Sequence, residues 1–252
     1  MFDSSPSAPS APSAPSASAP SASAPSPLRM YEDIALLSLH DEKGNFQGAM
    51  HAHALAGAVI TELVLLGRLR ITPGKRKQTF LEVADPTPIG DPVLDGVVER
   101  IAGARRRGQA ATWVGRLAAQ RKPSLREGAA LALVDRGLLV REEGRVLGIF
   151  RRVRYPMTDG GPEAALIERL RMALDDEAPV PEDPRSAIIL ALSQSAGILG
   201  HVFEKSYLRS RKERLAMLAK LDGVPGATRE AIKAAQAAVM AATMAATVAA
   251  TS

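Results

Sequence analysis

Apolar positions recur at helical spacing through most of the chain after about residue 30. The clearest stretch is 51–66, where alanine, leucine and valine return every three or four residues, and Gly67 follows at the position of a left-handed cap. The same spacing predicts further helices at 31–40, 94–104, 112–120, 125–135, 162–174, 184–203, 208–221 and from 228 onward. The chain is therefore predicted to be mainly α-helical.

Two short segments with alternating apolar and polar residues interrupt the helical pattern. Residues 68–72 alternate as a strand, and residues 80–83 can pair back with them. Later, the segments 138–141 and 145–155 flank Glu143 and Gly144, which favours a second hairpin with its turn at that dipeptide.

The beginning of the chain has a different composition from the rest. Residues 4–27 are only serine, alanine and proline, so nothing large and apolar is present to offset the entropy of ordering the backbone. We therefore predict a disordered tail at 1–28 and a single folded domain at 29–252.

Composition and motif content exclude several kinds of chemistry. The chain has no cysteine, which excludes disulfides, thiolate zinc sites and thiol nucleophiles and fits the reducing cytosol. His51 and His53 are two residues apart on a predicted helix, where their side chains diverge, so no metal site is predicted. No nucleophile elbow and no glycine-rich phosphate loop is found, so we predict neither an enzyme nor a cofactor.

The charge balance favours an anionic partner. The net charge is +5, and three arginines follow one another at 105–107, a run typical of a solvated helix end or of a phosphate contact. Further arginines on the second hairpin, Arg151, Arg152 and Arg154, match the wing of a winged-helix nucleic-acid binder. The helix before that hairpin is nearly all apolar, which suits a core helix and makes nucleic acid the less favoured partner.

The second hairpin carries apolar residues on both faces. Ile149 and Phe150 point to opposite faces of the predicted strand and stand beside Arg151 and Arg152. One face can cover the domain, so the other is predicted to meet a second copy of the chain, giving a homo-oligomer, or a membrane surface.

Four segments resemble one known family, in the same order and at compatible spacing. They are 32–44 (EDIALLSLHDEKG), 55–69 (LAGAVITELVLLGRL), 88–95 (PIGDPVLD) and 133–139 (LVDRGLL). All four are similar to the Golgi phosphoprotein 3 domain, and the resemblance extends over about 28–244.

This resemblance implies a core helical bundle wrapped by amphipathic helices, with one protruding β-hairpin. It also implies a non-enzymatic peripheral membrane protein that binds phosphatidylinositol 4-phosphate. In eukaryotes such proteins lie on the cytosolic face of the Golgi and act as adaptors that retain glycosyltransferases, so protein clients are implied as well.

The lipid pocket of the family combines a loop tryptophan with three arginines. The resemblance places Gln47 at the tryptophan, Ala56 and Pro123 at two of the arginines, and Arg126 at the third. A phosphoinositide headgroup carries several negative charges and needs several charge-assisted donors.

Two further cations lie close to Arg126 in sequence. Arg121 and Lys122 precede the same predicted helix and are candidates to supplement Arg126 at a lipid phosphate. The alternative is a scaffold without the specific pocket that acts as a general anionic-membrane or protein-interaction module.

Overall fold

The computed structural model describes residues 27–39, 44–47, 50–75, 78–146, 150–178, 183–220, 222, 226, 228–234 and 236–237, with only the backbone at 146, 150 and 151. Apart from its last two residues, the predicted tail at 1–28 lies outside the described residues. The assignment of 29–252 to a single domain stays a prediction.

Helices form most of the described chain, which confirms the mainly α-helical prediction. The helices are α1 (Met30–Ser38), α2 (His51–Leu65), α3 (Pro92–Ala102), α4 (Ala110–Ala118), α5 (Leu125–Asp135), α6 (Gly161–Asp175), α7 (Pro184–Ser195), α8 (Leu199–Val202), α9 (Lys205–Ser210) and α10 (Lys212–Leu218). The strands are β1 (Leu69–Pro73), β2 (Thr79–Val83), β3 (Gly108–Gln109), β4 (Glu142–Val146) and β5 (Phe150–Arg154).

Three helices form the centre of the bundle. All of α1 is buried, as are most of α2 and a continuous stretch of α7, and α1 packs on both α2 and α7. The surrounding helices bury one face only; α3, for example, buries Leu94, Val97, Val98 and Ile101. The bundle is therefore a buried core wrapped by amphipathic helices.

The first sheet has one strand more than the pattern predicts. Strands β1 and β2 pair antiparallel from Leu69 opposite Val83, as expected, and β3 then adds to β2 through Gly108 opposite Leu81. A two-residue strand is too short to show an alternating pattern, which is why the sequence gives no sign of it.

The turn predicted at Glu143 and Gly144 is wrong. Both residues lie inside β4, whose Glu142 is opposite Arg154 and whose Gly144 is opposite Arg152 of β5. The register sets Glu142 against Arg154, whereas Glu143 faces Val153 and Arg145 faces Arg151. Pairing along the whole of both strands fixes the register, and a turn dipeptide carries no information about that pairing. The hairpin therefore turns later in the chain, between β4 and β5.

Two of the later helices differ from the prediction. The helix expected at 184–203 ends at Ser195, because Gly197 adopts φ +72° and reverses the chain before α8. The helix expected at 208–221 begins earlier, at Lys205, and is divided at Arg211 into α9 and α10.

Carboxylates are buried inside the central helices and paired with arginines from distant elements. The Asp33 carboxylate of α1 accepts hydrogen bonds from Arg185 at 2.8 Å and Arg169 at 3.3 Å. Its neighbour Glu32 accepts from Arg136 at 2.7 Å. Burial raises the pKa of the Asp33 carboxyl, while Arg185 and Arg169 oppose that shift.

The facing helix contributes a third carboxylate. Glu62 of α2 accepts a hydrogen bond from the backbone N–H of Met30, and its other oxygen lies 3.6 Å from Arg29. Burial raises the pKa of Glu62 as well, with the Met30 N–H and nearby arginines acting in the opposite direction. The start of α1 is thereby fixed to α2.

Removing the charge of Asp33 should destabilise the fold. Asp33→Asn keeps the shape of the side chain but removes the buried carboxylate that Arg185 and Arg169 share, so we expect a loss of about 2 kcal/mol or more in the free energy of unfolding. Urea denaturation measures the change. Asp135→Asn, at an exposed position, is the control and should shift stability by less than about 0.5 kcal/mol. Equal effects of the two substitutions would contradict a structural role for the Asp33 pairs.

Candidate functional site

The amino-terminal turn of α5 combines a capped helix start with an arginine. Ser124 caps the helix, its Oγ accepting the Glu127 N–H at 3.2 Å, as its position before the apolar run predicts. Arg126 is the second residue of α5, where backbone N–H groups without intrahelical acceptors and the positive end of the helix dipole favour an anion.

Arg126 lines an open cleft of about 380 Å³. The cleft joins three parts of the chain that are distant in sequence: the loop before α2, the start of α5, and the end of the hairpin. Its lining residues are Gly44, Asn45, Phe46, Ser124, Arg126, Glu127, Val153 and Tyr155.

The loop side of the cleft is fixed by a close approach of two backbones. Gly44 has φ +55°, and a Cβ at this position would come within 2.5 Å of the Pro156 nitrogen. The Gly44 carbonyl accepts the Tyr155 N–H at 2.9 Å. The loop that carries Phe46 is therefore held against the base of the hairpin.

His51 lies behind Arg126 and orients it. The His51 ring stacks on Phe46, with centroids 5.3 Å apart, and its Nε2 is 3.4 Å from Arg126 Nη1. A guanidinium can only donate, so Nε2 is the acceptor in this contact. His51 is buried, with 8% of its surface exposed, and it supports Arg126 and Phe46 from behind the lining residues.

Sequence reasoning missed Phe46, His51 and Tyr155 as members of this site. The pair of His51 and His53 suggests only metal binding, and both residues lie on α2, where their side chains diverge. His51 could have been identified from its position, because it begins the predicted helix that follows the loop carrying Gln47.

The other positions carried over from the family offer little to an anion. Ala56 is fully buried in α2, and Pro123 is exposed but has no N–H to donate. Gln47 adjoins the cleft loop, with its backbone N–H bound to the Ser38 carbonyl at 2.6 Å. Arg126 is the matched position that places a cation at the cleft.

Arg121 and Lys122 precede α5 on an exposed segment. They do not line the Arg126 cleft as the described residues define it. Their role as supplementary phosphate contacts stays a prediction, and it requires their side chains to move toward Arg126.

The arginine run at 105–107 is not a helix end. Helix α3 ends at Ala102, and the run lies in the loop before β3. All three arginines are exposed. Arg107 is 3.4 Å from the Glu82 carboxylate and stacks over Phe80 at 4.0 Å. The earlier stop follows from Gly103, which occupies the cap position.

The hairpin residues predicted to meet a partner are described only in part. Ile149 lies outside the described residues, as do the side chains of Phe150 and Arg151. Arg152 lines a shallow surface groove on the hairpin together with Glu142 and Arg154. The predicted interaction through this hairpin stays a prediction.

The described residues contain neither a metal site nor a membrane-spanning helix. Within them, no set of three His, Asp or Glu side chains is placed to bind a metal ion. Across the same residues, none of the helices has the length and apolar character needed to cross a bilayer.

Comparison with known proteins agrees with the fold and with the order of its segments. One curated relative, vacuolar protein sorting-associated protein 74 of Eremothecium gossypii, is 24% identical over 164 residues, which cover 58% of this chain and 49% of the relative. The chain thus spans about half the length of that relative. The family model described as Golgi phosphoprotein 3 matches residues 30–235, from the first residue of α1 to the helical segment at 228–234. The chain belongs to the Golgi phosphoprotein 3 family.

Proposed function

We propose that this protein is a non-enzymatic peripheral adaptor of the Golgi type that binds the phosphate of phosphatidylinositol 4-phosphate in the Arg126 cleft. Membership of the Golgi phosphoprotein 3 family supports a Golgi-associated adaptor, as does a relative named for protein sorting. The observation that carries the lipid assignment is the position of Arg126 in the first turn of a capped helix, lining an open cleft.

The donors available in this cleft differ from those that the family resemblance implies. Arg126 supplies one charge-assisted donor, which contributes roughly 1.5–3 kcal/mol. The amide groups of the first turn of α5 add partial positive charge. His51, whose Nε2 accepts from Arg126, holds that arginine at the cleft. Together these groups form a smaller donor set than three arginines would.

A second candidate function rests on the exposed cations outside the cleft. Arg105, Arg106, Arg121 and Lys122 are exposed and are not cleft residues in the described part of the chain. Such charges attract any anionic membrane without recognising a headgroup, and salt screens that attraction. Family membership favours both membrane functions over a winged-helix nucleic-acid binder.

Arg126→Ala should separate the two candidates. Flotation with liposomes that contain phosphatidylinositol 4-phosphate should show about tenfold weaker binding, because a charge-assisted bond at the phosphate is lost. Binding to phosphatidylglycerol liposomes should fall much less, since it depends on total charge.

Arg105→Ala is the matched control, because it removes the same charge from an exposed position outside the cleft. It should weaken binding to both kinds of liposome slightly and equally, with a larger effect at low salt. If Arg126→Ala behaves like Arg105→Ala on both lipids, specific recognition in the cleft is refuted and the diffuse anionic surface is favoured.

Glu127→Gln should strengthen phosphate binding. Glu127 lines the cleft beside Arg126, so its negative charge repels an incoming phosphate. Its backbone N–H still binds Ser124, so the helix cap is retained. At low salt we expect roughly two- to fivefold tighter binding to liposomes that contain phosphatidylinositol 4-phosphate, as measured by flotation. Glu99→Gln on α3 is the control and should give no such gain. Unchanged or weaker binding by Glu127→Gln would place the phosphate elsewhere.

The hairpin is proposed as the contact between copies of the chain. Ile149→Asp or Phe150→Asp should lower the mass in solution or weaken membrane recruitment, because a charge would replace an apolar group on the strand face. Light scattering and flotation measure the two effects. If the folded variants keep both the mass in solution and the membrane binding, the hairpin has only a structural role.

A further inference from the structure

An apolar groove lies on the outer side of the contact between α3 and α5. Its volume is about 360 Å³, within the range of roughly 300–1,000 Å³ that is usual for ligand pockets. The groove is distinct from the Arg126 cleft, and its walls are mainly carbon. The apolar part is formed by Pro92, Val93, Val97, Leu125 and Leu131.

Two glycines explain why the helices touch without closing the groove. At Gly128 of α5 an added Cβ would lie 3.0 Å from the Val93 side chain, so the two helices are in close contact there. At Gly96 of α3 an added Cβ would meet nothing within 4 Å, so the space above it is empty. Leu131 on the facing wall keeps 37% of its surface exposed. The result is an apolar trough with a closed floor and no cover.

One cation and one anion line the groove. Arg100 of α3 and Asp135 of α5 are both exposed, and neither forms an ion pair with any residue that the structure describes. The remaining polar lining residues, Gln120 and Ser124, are uncharged. The groove therefore offers one positive and one negative group to a ligand.

The two charges lie on different walls of the groove, Arg100 on α3 and Asp135 on α5. Asp91, directly before α3, accepts a hydrogen bond from Tyr31 at 2.9 Å. Arg136, directly after α5, binds Glu32 of the same turn of α1. The start of α3 and the end of α5 are therefore each attached to the first turn of α1. From the contact of Gly128 with Val93, Arg100 lies seven residues further along α3 and Asp135 seven residues further along α5, which is about 10 Å in each helix.

We propose that this groove binds an extended apolar peptide segment of another protein, with an acidic side chain toward Arg100 and a basic side chain toward Asp135. The α5 wall from Ser124 to Asp135 is about 16 Å long at 1.5 Å per residue. An extended chain covers that length with about five residues at 3.3 Å each.

The two uncharged segments near the ends of the sequence do not match this description. Residues 4–27 and residues 238–252 contain no charged side chain, so neither presents a partner for Arg100 or for Asp135. A segment of a separate protein is therefore the occupant that the charges favour.

The groove and the Arg126 cleft meet at the start of α5. Ser124 lines both, so a peptide in the groove lies next to the proposed phosphate site. The inference rests on the proposed function in one respect: an adaptor has to bind a protein as well as a membrane, and the groove would be its protein-binding site. The peptide site itself is tested without any lipid.

The test uses the full chain and a fluorescein-labelled peptide with five alternating leucine and alanine residues between one glutamate and one arginine. Fluorescence anisotropy should show saturable binding. Gly96→Leu places a side chain in the groove at a position with no neighbour to displace, so it should weaken binding of the peptide at least tenfold. Gly200→Leu, at an exposed helical glycine that is equally free of neighbours, is the control and should leave the Kd unchanged.

Two further peptides and one parallel measurement complete the test. A peptide with glutamine in place of both charges should bind at least threefold more weakly. Lack of saturable binding, equal weakening by both leucine variants, or competition by a peptide of residues 4–27 would overturn the proposal. Flotation with phosphatidylinositol 4-phosphate should be unaffected by Gly96→Leu, so that failure of the peptide site and failure of the lipid site remain distinguishable.

Discussion

The complete burial of α1 is the constraint on which the rest of the structure depends. A helix buried on every side cannot carry unpaired carboxylates, because leaving a buried charge without a partner costs several kcal/mol. Glu32 and Asp33 are each 2% exposed, and their partners come from the end of α5, from α6 and from α7. These pairs connect helices that are more than 100 residues apart in the chain. The position of α5, and with it both cavities at its start, follows from this pairing.

Local rules predicted the elements, and long-range contacts decided what the site contains. The apolar spacing and the cap at Ser124 locate α5 correctly, because they depend on residues within one helix. The cleft could not be predicted in full, since Phe46, Arg126 and Tyr155 meet only after folding. The hairpin register also depends on pairing between strands, and there a plausible turn at Gly144 was misleading.

Family membership and site chemistry give different amounts of information here. The match over residues 30–235 establishes the fold family, but three of the four carried-over pocket positions hold Gln47, Ala56 and Pro123. The structure adds neighbours that no motif contained, above all His51 against Arg126. That contact, together with the stacking of His51 on Phe46, orients the cation at the matched position. A family motif taken alone would not identify the residue that holds Arg126 at the cleft.

The glycine at position 96 keeps the trough between α3 and α5 open and lowers the stability of α3. Glycine inside a helix is about 1 kcal/mol less favourable than alanine, and no neighbour prevents a larger side chain at this position. Any engineering that raises the melting temperature by replacing helical glycines would select this site early. A thermostabilised version of the protein would then keep its fold and narrow the trough between α3 and α5. Screening of such variants by melting temperature alone would not detect that the trough had become narrower.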